Sequence, residues 1–169
     1  MTKNIVLIGL MGSGKTTIGR KLAEKSGMKF VDTDELIVQK AGKSIKLIFA
    51  EEGELFFRDL ESEIIEEVSR QENLVISTGG GAVLRDENTD NLKQNGVLFY
   101  LYAPAEELFE RIKNDTERPL INTANPVETL KIIQERREVL YNQADFKINT
   151  CEKTPEEVVN EIIKFGGAG

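Results

Sequence analysis

The sequence predicts an α/β fold, a three-layer sandwich in which helices cover both faces of a five-stranded parallel sheet. Short apolar runs, several of them rich in β-branched residues, alternate along the chain with segments of helical periodicity. This alternation is typical of β-α units that build a parallel sheet. The 169 residues suffice for one ordinary core, so we expect a single domain over residues 1–169.

The predicted strands are the apolar runs themselves. They cover residues 5–8, 30–31, 74–76, 97–101 and 146–148. The first consists of four apolar residues, as expected of a strand buried on both faces. The second leads into Asp32 and Asp34, and ligands of parallel sheets bind near the carboxyl ends of the strands. We therefore expect both carboxylates near a ligand.

The predicted helices lie between and after these strands. They cover residues 16–26, 36–41, 44–51 with Ser44 as N-cap, 54–71, 86–94, 104–112 and 128–143, and a last helix that opens at Pro155. Gly27 stands at a C-cap position, and Thr154 with Glu157 forms a capping box. Residues 114–126 are polar and predict a mobile loop, and the tail 166–169 is expected to be disordered.

Composition excludes several classes of function. The chain has no histidine, which removes Ser/His/Asp and Cys/His catalysis and His-ligated zinc. Its net charge of −7 makes a nucleic-acid partner improbable. No apolar run approaches the ~20 residues of a membrane span, and Cys151 has no partner cysteine, so we expect a cytoplasmic protein with an inert thiol.

The segment from Gly9 to Thr16 reads GLMGSGKT and matches the phosphate-loop pattern G-x-x-x-x-G-K-[ST]. It lies between a predicted strand and a predicted helix, which is the context that the pattern requires. Backbone N–H groups of such a loop bind phosphate oxygens, the lysine reaches the β- and γ-phosphates, and the hydroxyl binds Mg²⁺. The predicted ATP-binding residues here are Gly12, Ser13, Gly14, Lys15, Thr16 and Thr17.

Nucleotide binding alone leaves three classes open: a small-molecule kinase, a GTPase-type switch, and an ATP-binding module without transfer. The sequence lacks the N-K-x-D pattern of guanine recognition and an Asp-x-x-Gly after an apolar strand, which disfavours the switch. The strand at 74–76 leads to Ser77 and Thr78 rather than to an aspartate. Asp32 is therefore the expected metal carboxylate, together with the Thr16 hydroxyl.

Four features together resemble the shikimate kinases over essentially the whole chain. They are the phosphate loop, Asp32-Thr33-Asp34, Thr78-Gly79-Gly80-Gly81 and Arg118-Pro119-Leu120, with further agreement from Phe57-Arg58 followed by Glu61 and from Arg137-x-x-Leu140-Tyr141. The resemblance implies a P-loop kinase fold, related to the nucleoside monophosphate kinases, whose mobile lid spans about residues 114–126. It implies transfer of the ATP γ-phosphoryl group to the 3-hydroxyl of shikimate, with Mg²⁺. A related kinase of a sugar acid such as gluconate is the alternative. A monomer is the default expectation for the chain.

The resemblance also implies residue roles. Catalysis falls to Lys15, Asp34 and Arg118; shikimate binding to Asp34, Arg58, Gly79, Gly80, Gly81 and Arg137; and further ATP contacts to Arg111, Arg118 and Pro155. Guanidinium forks suit a carboxylate, and glycines allow close approach of the backbone to the ring. An ordinary aspartate has a pKa of about 3.9, so orientation of the hydroxyl is the safer role for Asp34.

Plainer interpretations of these residues stay open at the sequence level. Asp32 and Asp34 could be turn or capping residues. Arg58 could form exposed ion pairs with Glu54 and Glu61 at helical spacing. Adjacent helical residues point about 100° apart, so only one of Arg136 and Arg137 should face a ligand, and the spacing to Tyr141 favours Arg137. Phe49 and Phe57 could line a pocket or belong to the core.

Overall fold

The computed structural model describes residues 3–115 and 122–166. Its sheet has five strands, all parallel, as the sequence predicts. In chain order they are β1 (Asn4–Ile8), β2 (Lys29–Asp32), β3 (Leu74–Ser77), β4 (Gly96–Tyr102) and β5 (Phe146–Asn149). Their order across the sheet is β2-β3-β1-β4-β5, so the fully buried β1 lies in the middle.

The helices connect these strands. They are α1 (Lys15–Ser26), α2 (Thr33–Ala41), α3 (Ile45–Glu51), α4 (Glu54–Ser69), α5 (Asp86–Gln94), α6 (Ala105–Ile112), α7 (Pro126–Tyr141) and α8 (Pro155–Gly166). A short 3₁₀ helix, Ala82–Leu84, follows β3 and was not expected from the sequence. Among the described residues, no helix combines the length and the apolar character that a membrane crossing needs.

The core confirms the three layers. One face of the sheet packs on α1 and α8 through residues such as Leu22 and Val159. The other face packs on α4 to α7 through Ile65, Leu92 and Leu108. A third, smaller cluster joins α2, α3 and α4, and its buried members are Ile37, Ile48, Phe57 and Ile64. This cluster gives α2 to α4 their own apolar support at the edge of the sheet.

The topology opens a crevice between β1 and β3. The chain leaves β1 towards α1 on one face of the sheet and leaves β3 towards α5 on the opposite face. The two core clusters show this, since α1 belongs to one of them and α5 to the other. Ligands of open parallel sheets bind where neighbouring connections diverge in this way, beyond the carboxyl ends of the strands. The segments that follow β1 and β3 are therefore the walls of a candidate site.

Strand register brings the ends of three strands level. Leu7 of β1 and Asp32 of β2 both pair with Ser77 of β3. The ladder continues one residue further, because the Thr78 N–H donates to the Leu7 carbonyl over 3.2 Å. The phosphate loop, the two aspartates and the run of glycines therefore leave the sheet side by side.

Several predicted boundaries were wrong. Helix α2 begins at Thr33 rather than 36, because the Asp32 side chain accepts hydrogen bonds from the Asp34 and Glu35 N–H groups and caps the helix there. Asp34 thus lies in the first helical turn. Helix α7 begins at Pro126 rather than 128, after its N-cap Asn125, and α8 continues through Gly166, which the sequence assigned to a disordered tail. Residues 116–121 of the predicted lid lie outside the described residues.

Other local predictions are confirmed. The capping box at the start of α8 has both of its hydrogen bonds, Thr154 N–H to Glu157 at 2.7 Å and Glu157 N–H to Thr154 Oγ1 at 3.3 Å. Ser44 accepts from the Leu47 N–H and caps α3. Gly27 ends α1 in the left-handed conformation at φ 71°. These elements were predictable because a cap depends on residues only a few positions apart.

Candidate active site

The phosphate loop, residues 9–16, curls between β1 and α1. Gly12 and Gly14 have φ values of 80° and 94°, which residues with a side chain rarely adopt. Ser13 is fully buried, and its N–H donates to the Leu10 carbonyl over 3.2 Å. The loop ends on the amino terminus of α1, where N–H groups and the helix dipole favour an anion. Thr16 and Thr17 in the first turn of α1 are exposed.

Lys15 folds back over this loop. Its ammonium group donates to the Gly9 carbonyl at 2.7 Å and the Leu10 carbonyl at 3.0 Å, and it lies 3.4 Å from Ser13 Oγ. The residue is only 9% exposed. A positive charge is therefore held inside the curve of the loop, where a phosphate would bind.

Asp32 joins the phosphate loop to α2. Its Oδ1 accepts from the Asp34 N–H at 2.9 Å, and its Oδ2 accepts from the Thr16 hydroxyl at 2.9 Å. Thus Asp32 is a helix cap, as the plainer interpretation has it, and also the neighbour of the threonine hydroxyl. A hydroxyl and a carboxylate oxygen at this separation fit Mg²⁺, which takes oxygen ligands and is bound by few protein groups besides substrate phosphates and water.

The glycine run, Gly79 to Gly81, is the meeting point of the site. A Cβ built on Gly79 would lie 2.8 Å from Asp34 Oδ1 and 3.0 Å from Glu61 Oε2. One on Gly81 would lie 2.7 Å from Arg58 Cζ. Side chains at these positions would displace the charged groups, so glycine is required here for close approach rather than for unusual backbone angles.

Gly80 faces the phosphate loop as well as the second arginine. A Cβ at Gly80 would lie 3.6 Å from both Arg137 Nη1 and the Gly9 carbonyl oxygen, and 3.7 Å from Met11 N. The space beside Gly80 is therefore bounded by a guanidinium group on one side and by the backbone of the phosphate loop on another. Residues far apart in the sequence thus enclose one small volume.

Arg58 is held by a buried carboxylate. Its Nη1 donates to Glu61 Oε1 over 2.8 Å, and the Arg58 and Glu61 side chains are only 15% and 1% exposed. Glu54, the other partner at helical spacing, is exposed, and its Oε1 lies 3.6 Å from Arg58 Nε. The ion pair is therefore not the exposed helix pair of the plainer interpretation. Burial raises the pKa of Glu61, and the positive charges of Arg58, Arg137 and Arg85 oppose that rise.

Arg137 lies near the end of α7, one turn before Tyr141. The Tyr141 hydroxyl donates to the Gly80 carbonyl over 2.6 Å. Burial raises the pKa of the Tyr141 hydroxyl, and the Arg137 charge partly opposes the rise. The neighbouring Arg136 is exposed. Of the two adjacent arginines, Arg137 is the one beside the glycine run.

Arg111 lies on the far side of the phosphate loop. Its guanidinium donates to the Gly12 carbonyl at 3.2 Å and to Thr150 Oγ1 at 3.1 Å. Arg111 therefore joins α6 to the phosphate loop and to the loop that precedes α8. Pro155, the first residue of α8, is exposed a few residues further along that loop.

The remaining candidate residues do not share one location in the structure. Arg118 lies outside the described residues. Phe57 is 4% exposed and belongs to the core cluster of α2 to α4, whereas Phe49 is partly exposed with its ring centroid 4.7 Å from that of Phe57. Cys151 is a free, partly buried thiol. Among the described residues, no group of three or more Asp, Glu or Cys side chains is placed to hold a metal ion.

Sequence reasoning assigned no site role to three residues that contact the candidates. Glu61 pairs with Arg58, Tyr141 binds Gly80, and the buried Thr33 hydroxyl accepts from the Gly79 N–H over 3.2 Å. Glu61 had a usable signal, since it lies four residues from both Phe57 and Ile65 on the buried face of α4. A charged residue on an apolar face calls for a partner. Thr33 and Tyr141 had no comparable signal.

Comparison with known proteins gives consistent relationships. Residues 11–166 match the family model described as shikimate kinase. The chain is 50% identical over 162 residues to a shikimate kinase of Thermodesulfovibrio yellowstonii, covering 96% of this chain and 94% of that protein. It is similar to a solved shikimate kinase from Acinetobacter baumannii in complex with shikimate, with a TM-score of 0.93 and 38% identity over 98% of this chain and 93% of that one. A gluconokinase from Sinorhizobium meliloti has a TM-score of 0.64 at 19% identity, covering 98% and 92% of the two chains, which reflects the shared fold alone.

Proposed function

The chain belongs to the shikimate kinase family, and from this premise we propose how its own residues carry out the reaction. The reaction is ATP-dependent phosphorylation of the 3-hydroxyl of shikimate, which gives shikimate 3-phosphate and ADP, so ATP and shikimate are its substrates. The observation that carries the residue assignment is the glycine run, against which Asp34, Arg58, Arg137 and the phosphate loop converge.

ATP binds along the phosphate loop. The backbone N–H groups of Gly12, Ser13 and Gly14 cradle the phosphates at the amino terminus of α1, with Thr16 and Thr17 in its first turn. Lys15 exchanges its contacts with the Gly9 and Leu10 carbonyls for the β- and γ-phosphate oxygens. Arg111 and Pro155 contact the adenine, as the family resemblance implies, and the hydrogen bond from Arg111 to the Gly12 carbonyl supports a place beside the phosphate loop.

Thr16 and Asp32 would hold Mg²⁺. Their oxygens lie 2.9 Å apart at the mouth of the phosphate loop, and this donor set suits a hard cation that also binds phosphate and water. When bound, Mg²⁺ neutralises charge on the β- and γ-phosphates. Asp32 keeps its place without the metal, because the same carboxylate caps α2.

Shikimate binds between the two arginines and the glycine run. Arg58 and Arg137 pair with its carboxylate, since planar guanidinium groups match the two carboxylate oxygens. The Gly79, Gly80 and Gly81 backbone approaches the ring. A cation held by Glu61 arrives pre-positioned, so less side-chain entropy is lost when substrate binds.

Asp34 orients the reacting hydroxyl. Its position in the first turn of α2, beside Gly79, supports a hydrogen bond from the 3-hydroxyl of a ring lying against the glycine run. In a loose phosphoryl transition state the hydroxyl proton leaves late, so alignment and charge neutralisation dominate catalysis. Lys15 and Arg118 supply positive charge at the transferring group.

The activity is tested by measuring ADP release with a panel of acceptors. We expect release that requires both shikimate and Mg²⁺, and background release with gluconate or with no acceptor. Turnover of gluconate but not shikimate would support the sugar-acid alternative. Equal ADP release with and without shikimate would falsify the kinase reaction.

The role of Arg118 is tested separately. Arg118→Ala should lower kcat far more than it weakens ATP binding measured by calorimetry, because the arginine acts on charge that develops in the transition state. Lys113→Ala is the matched control, since Lys113 is an exposed cation of the same region that pairs with Glu110. An unchanged kcat for Arg118→Ala would reject the role.

We also propose that the enzyme acts as a monomer in the cytoplasm. The high negative charge favours a dispersed protein, and a free cysteine is typical of reducing compartments. Fractionation of the source cells followed by immunodetection tests the compartment.

A further inference from the structure

Tyr141, the last residue of α7, is a buried tyrosine whose hydroxyl reaches into the candidate site. The residue is fully buried, and its ring stacks on that of Tyr100 with centroids 4.9 Å apart. This stacking accounts for the packing of the ring against β4. It leaves the hydroxyl group to be explained, because a phenylalanine would pack equally well.

The Tyr141 hydroxyl fixes one peptide group of the glycine run. It donates to the Gly80 carbonyl over 2.6 Å. The other two carbonyls of the run are bound by the following turn, Gly79 by the Ala82 N–H and Gly81 by the Leu84 N–H, each over 3.1 Å. Each peptide bond of the described residues is trans, so a fixed Gly80 carbonyl also fixes the opposite direction of the Gly81 N–H. The middle peptide of the run thus depends on a side chain from α7.

The same hydroxyl lies next to Arg137. Arg137 precedes Tyr141 by one turn of α7, and its Nη1 lies 3.6 Å from the Cβ position of Gly80, the residue whose carbonyl accepts from Tyr141. The positive charge of Arg137 also opposes the rise that burial causes in the pKa of the Tyr141 hydroxyl. The hydroxyl therefore lies where Arg137 and the glycine run, the two walls of the acceptor pocket, meet.

We propose that Tyr141 is a positioning residue for the acceptor substrate, whose hydroxyl sets the spacing between Arg137 and the Gly80–Gly81 peptide. This inference rests on the proposed function of those two groups. Tyr141 reaches the acceptor side of the site and not the contacts of Thr16, Asp32 or Arg111. Loss of its hydroxyl should therefore affect shikimate and spare ATP.

The test is Tyr141→Phe with Tyr100→Phe as the matched control. Tyr100 is equally buried and belongs to the same ring stack, but its hydroxyl donates to Glu138 over 2.9 Å. Both variants lose one buried hydroxyl and keep the ring. For Tyr141→Phe we expect the KM for shikimate to rise about 3- to 10-fold, the effect of one hydrogen bond, with an unchanged KM for ATP. For Tyr100→Phe both KM values should stay within about twofold of the parent.

Three results would overturn the inference: an unchanged KM for shikimate in Tyr141→Phe, equal increases for both substrates, or the same increase in Tyr100→Phe. The parent enzyme is assayed in parallel. If it turns over shikimate while Tyr141→Phe matches it, only this inference fails. If the parent itself shows no turnover with shikimate, the proposed function fails and the inference with it.

A second measurement applies if Tyr141→Phe does not fold. The chain has three tyrosines, so 3-fluorotyrosine labelling gives three ¹⁹F resonances that Tyr100→Phe and Tyr102→Phe assign by subtraction. Shikimate should shift the Tyr141 resonance and leave that of Tyr100 in place. A Tyr141 resonance that does not move at saturating shikimate would overturn the inference.

Discussion

At the residue scale, the Glu61 carboxyl lies in surroundings that favour its neutral form. The side chain is 1% exposed, and its Oε2 is buried without a hydrogen-bond partner among the described residues. Burial raises its pKa above the ordinary 4.5 even though Arg58 hydrogen-bonds the other oxygen. Folding thus places a charge-bearing group where ionisation is unfavourable.

A pH dependence of stability follows for Glu61. Between pH 4.5 and the raised native pKa, the native carboxyl keeps its proton and the unfolded one loses it. The unfolded state then binds fewer protons, so the free energy of unfolding falls as pH rises, by at most about 1.4 kcal/mol per pH unit. Glu61→Gln does not titrate and should lack this contribution.

Urea unfolding of the parent and of Glu61→Gln at a series of pH values measures this difference. We expect the stability of the parent relative to the variant to decline from pH 4.5 upwards. Glu54→Gln is the control, because Glu54 also faces Arg58 but is largely exposed. A difference between parent and Glu61→Gln that is constant with pH would contradict the argument.

Two glycines separate steric from conformational requirements. Gly81 has a φ of −96°, which alanine adopts readily, but an added Cβ would lie 2.7 Å from Arg58 Cζ. Gly42 has a φ of 67° and open space around it. Gly81→Ala should therefore displace the Arg58 head and raise the KM for shikimate about 10-fold or more. It should also lower stability, because the buried Glu61 carboxyl loses its partner. Gly42→Ala should cost about 1 kcal/mol of stability and leave the kinetics unchanged.

Steady-state kinetics and thermal unfolding of both glycine variants check this pair. The expected pattern is that only Gly81→Ala weakens shikimate binding, whereas Gly42→Ala lowers stability alone. If Gly81→Ala binds shikimate as the parent does, Arg58 does not grip the acceptor from its observed position.

At the element scale, the start of α2 explains how Asp32 and Asp34 differ. The sequence placed both carboxylates at the end of a strand. In the structure Asp32 is the N-cap, and Asp34 lies in the first turn of the helix, facing the glycine run. The cap makes the orientation of Asp34 depend on Asp32. In the proposed mechanism Asp32 serves the metal side of the site and Asp34 the acceptor side.

Substitutions of Asp32 can separate the cap from the metal contact. Asparagine is as good an N-cap as aspartate, so Asp32→Asn should keep the stability of α2 but lose much of the Mg²⁺-dependent turnover. Asp32→Ala should lose both, with about 1 kcal/mol of stability. Ser44→Ala removes the cap of α3, a helix outside the site, and should cost a similar stability without loss of turnover.

Thermal unfolding and Mg²⁺ titrations of turnover test these three variants together. An Asp32→Asn enzyme with the parent's Mg²⁺ dependence would remove Asp32 from the metal site. A Ser44→Ala enzyme with reduced turnover would show that loss of any cap in this region disturbs catalysis, and Asp32→Ala would then be uninformative about Mg²⁺ on its own.

At the scale of the whole molecule, the order of strands creates the site. Because β1 and β3 are neighbours in the sheet, the phosphate loop lies next to the segment that follows β3. The start of α2, which follows β2, lies on the opposite side of that segment. The connections after β1 and β3 leave on opposite faces, which keeps the space between them open. Helices α4 and α7 then bring in Arg58 and Arg137.

The net charge of −7 also acts on the whole molecule. Repulsion between like-charged copies opposes association, so we expect sedimentation equilibrium at moderate ionic strength to give one species of 18.9 kDa. ATP and shikimate should leave this mass unchanged, because the candidate site is built from a single chain. A species of twice that mass would contradict the expectation of a monomer.

Sequence prediction succeeded where the signal was local or periodic. The five strands, the phosphate loop and the caps at Ser44 and Thr154 depend on neighbouring residues. Sequence prediction placed the starts of α2 and α7 too late. The few residues around each cap carry strand or loop signals as well as the capping signal, so the first helical residue was not evident. The partner of Arg58 was visible as a spacing, and the apolar face of α4 carried a signal of its burial that the sequence analysis did not use.

The sequence by itself determined the α/β class, the phosphate loop and the exclusion of histidine chemistry, because alternation, motif spacing and composition are properties of the chain. The kinase reaction was implied by the family resemblance. Only the tertiary structure decided how deeply Glu61 is buried against Arg58, and only it brought Arg137 and the Tyr141 hydroxyl to Gly80. The contact between Tyr141 and Gly80 joins residues 61 positions apart. Such a separation leaves no local pattern, so strand order and helix packing had to bring these residues together.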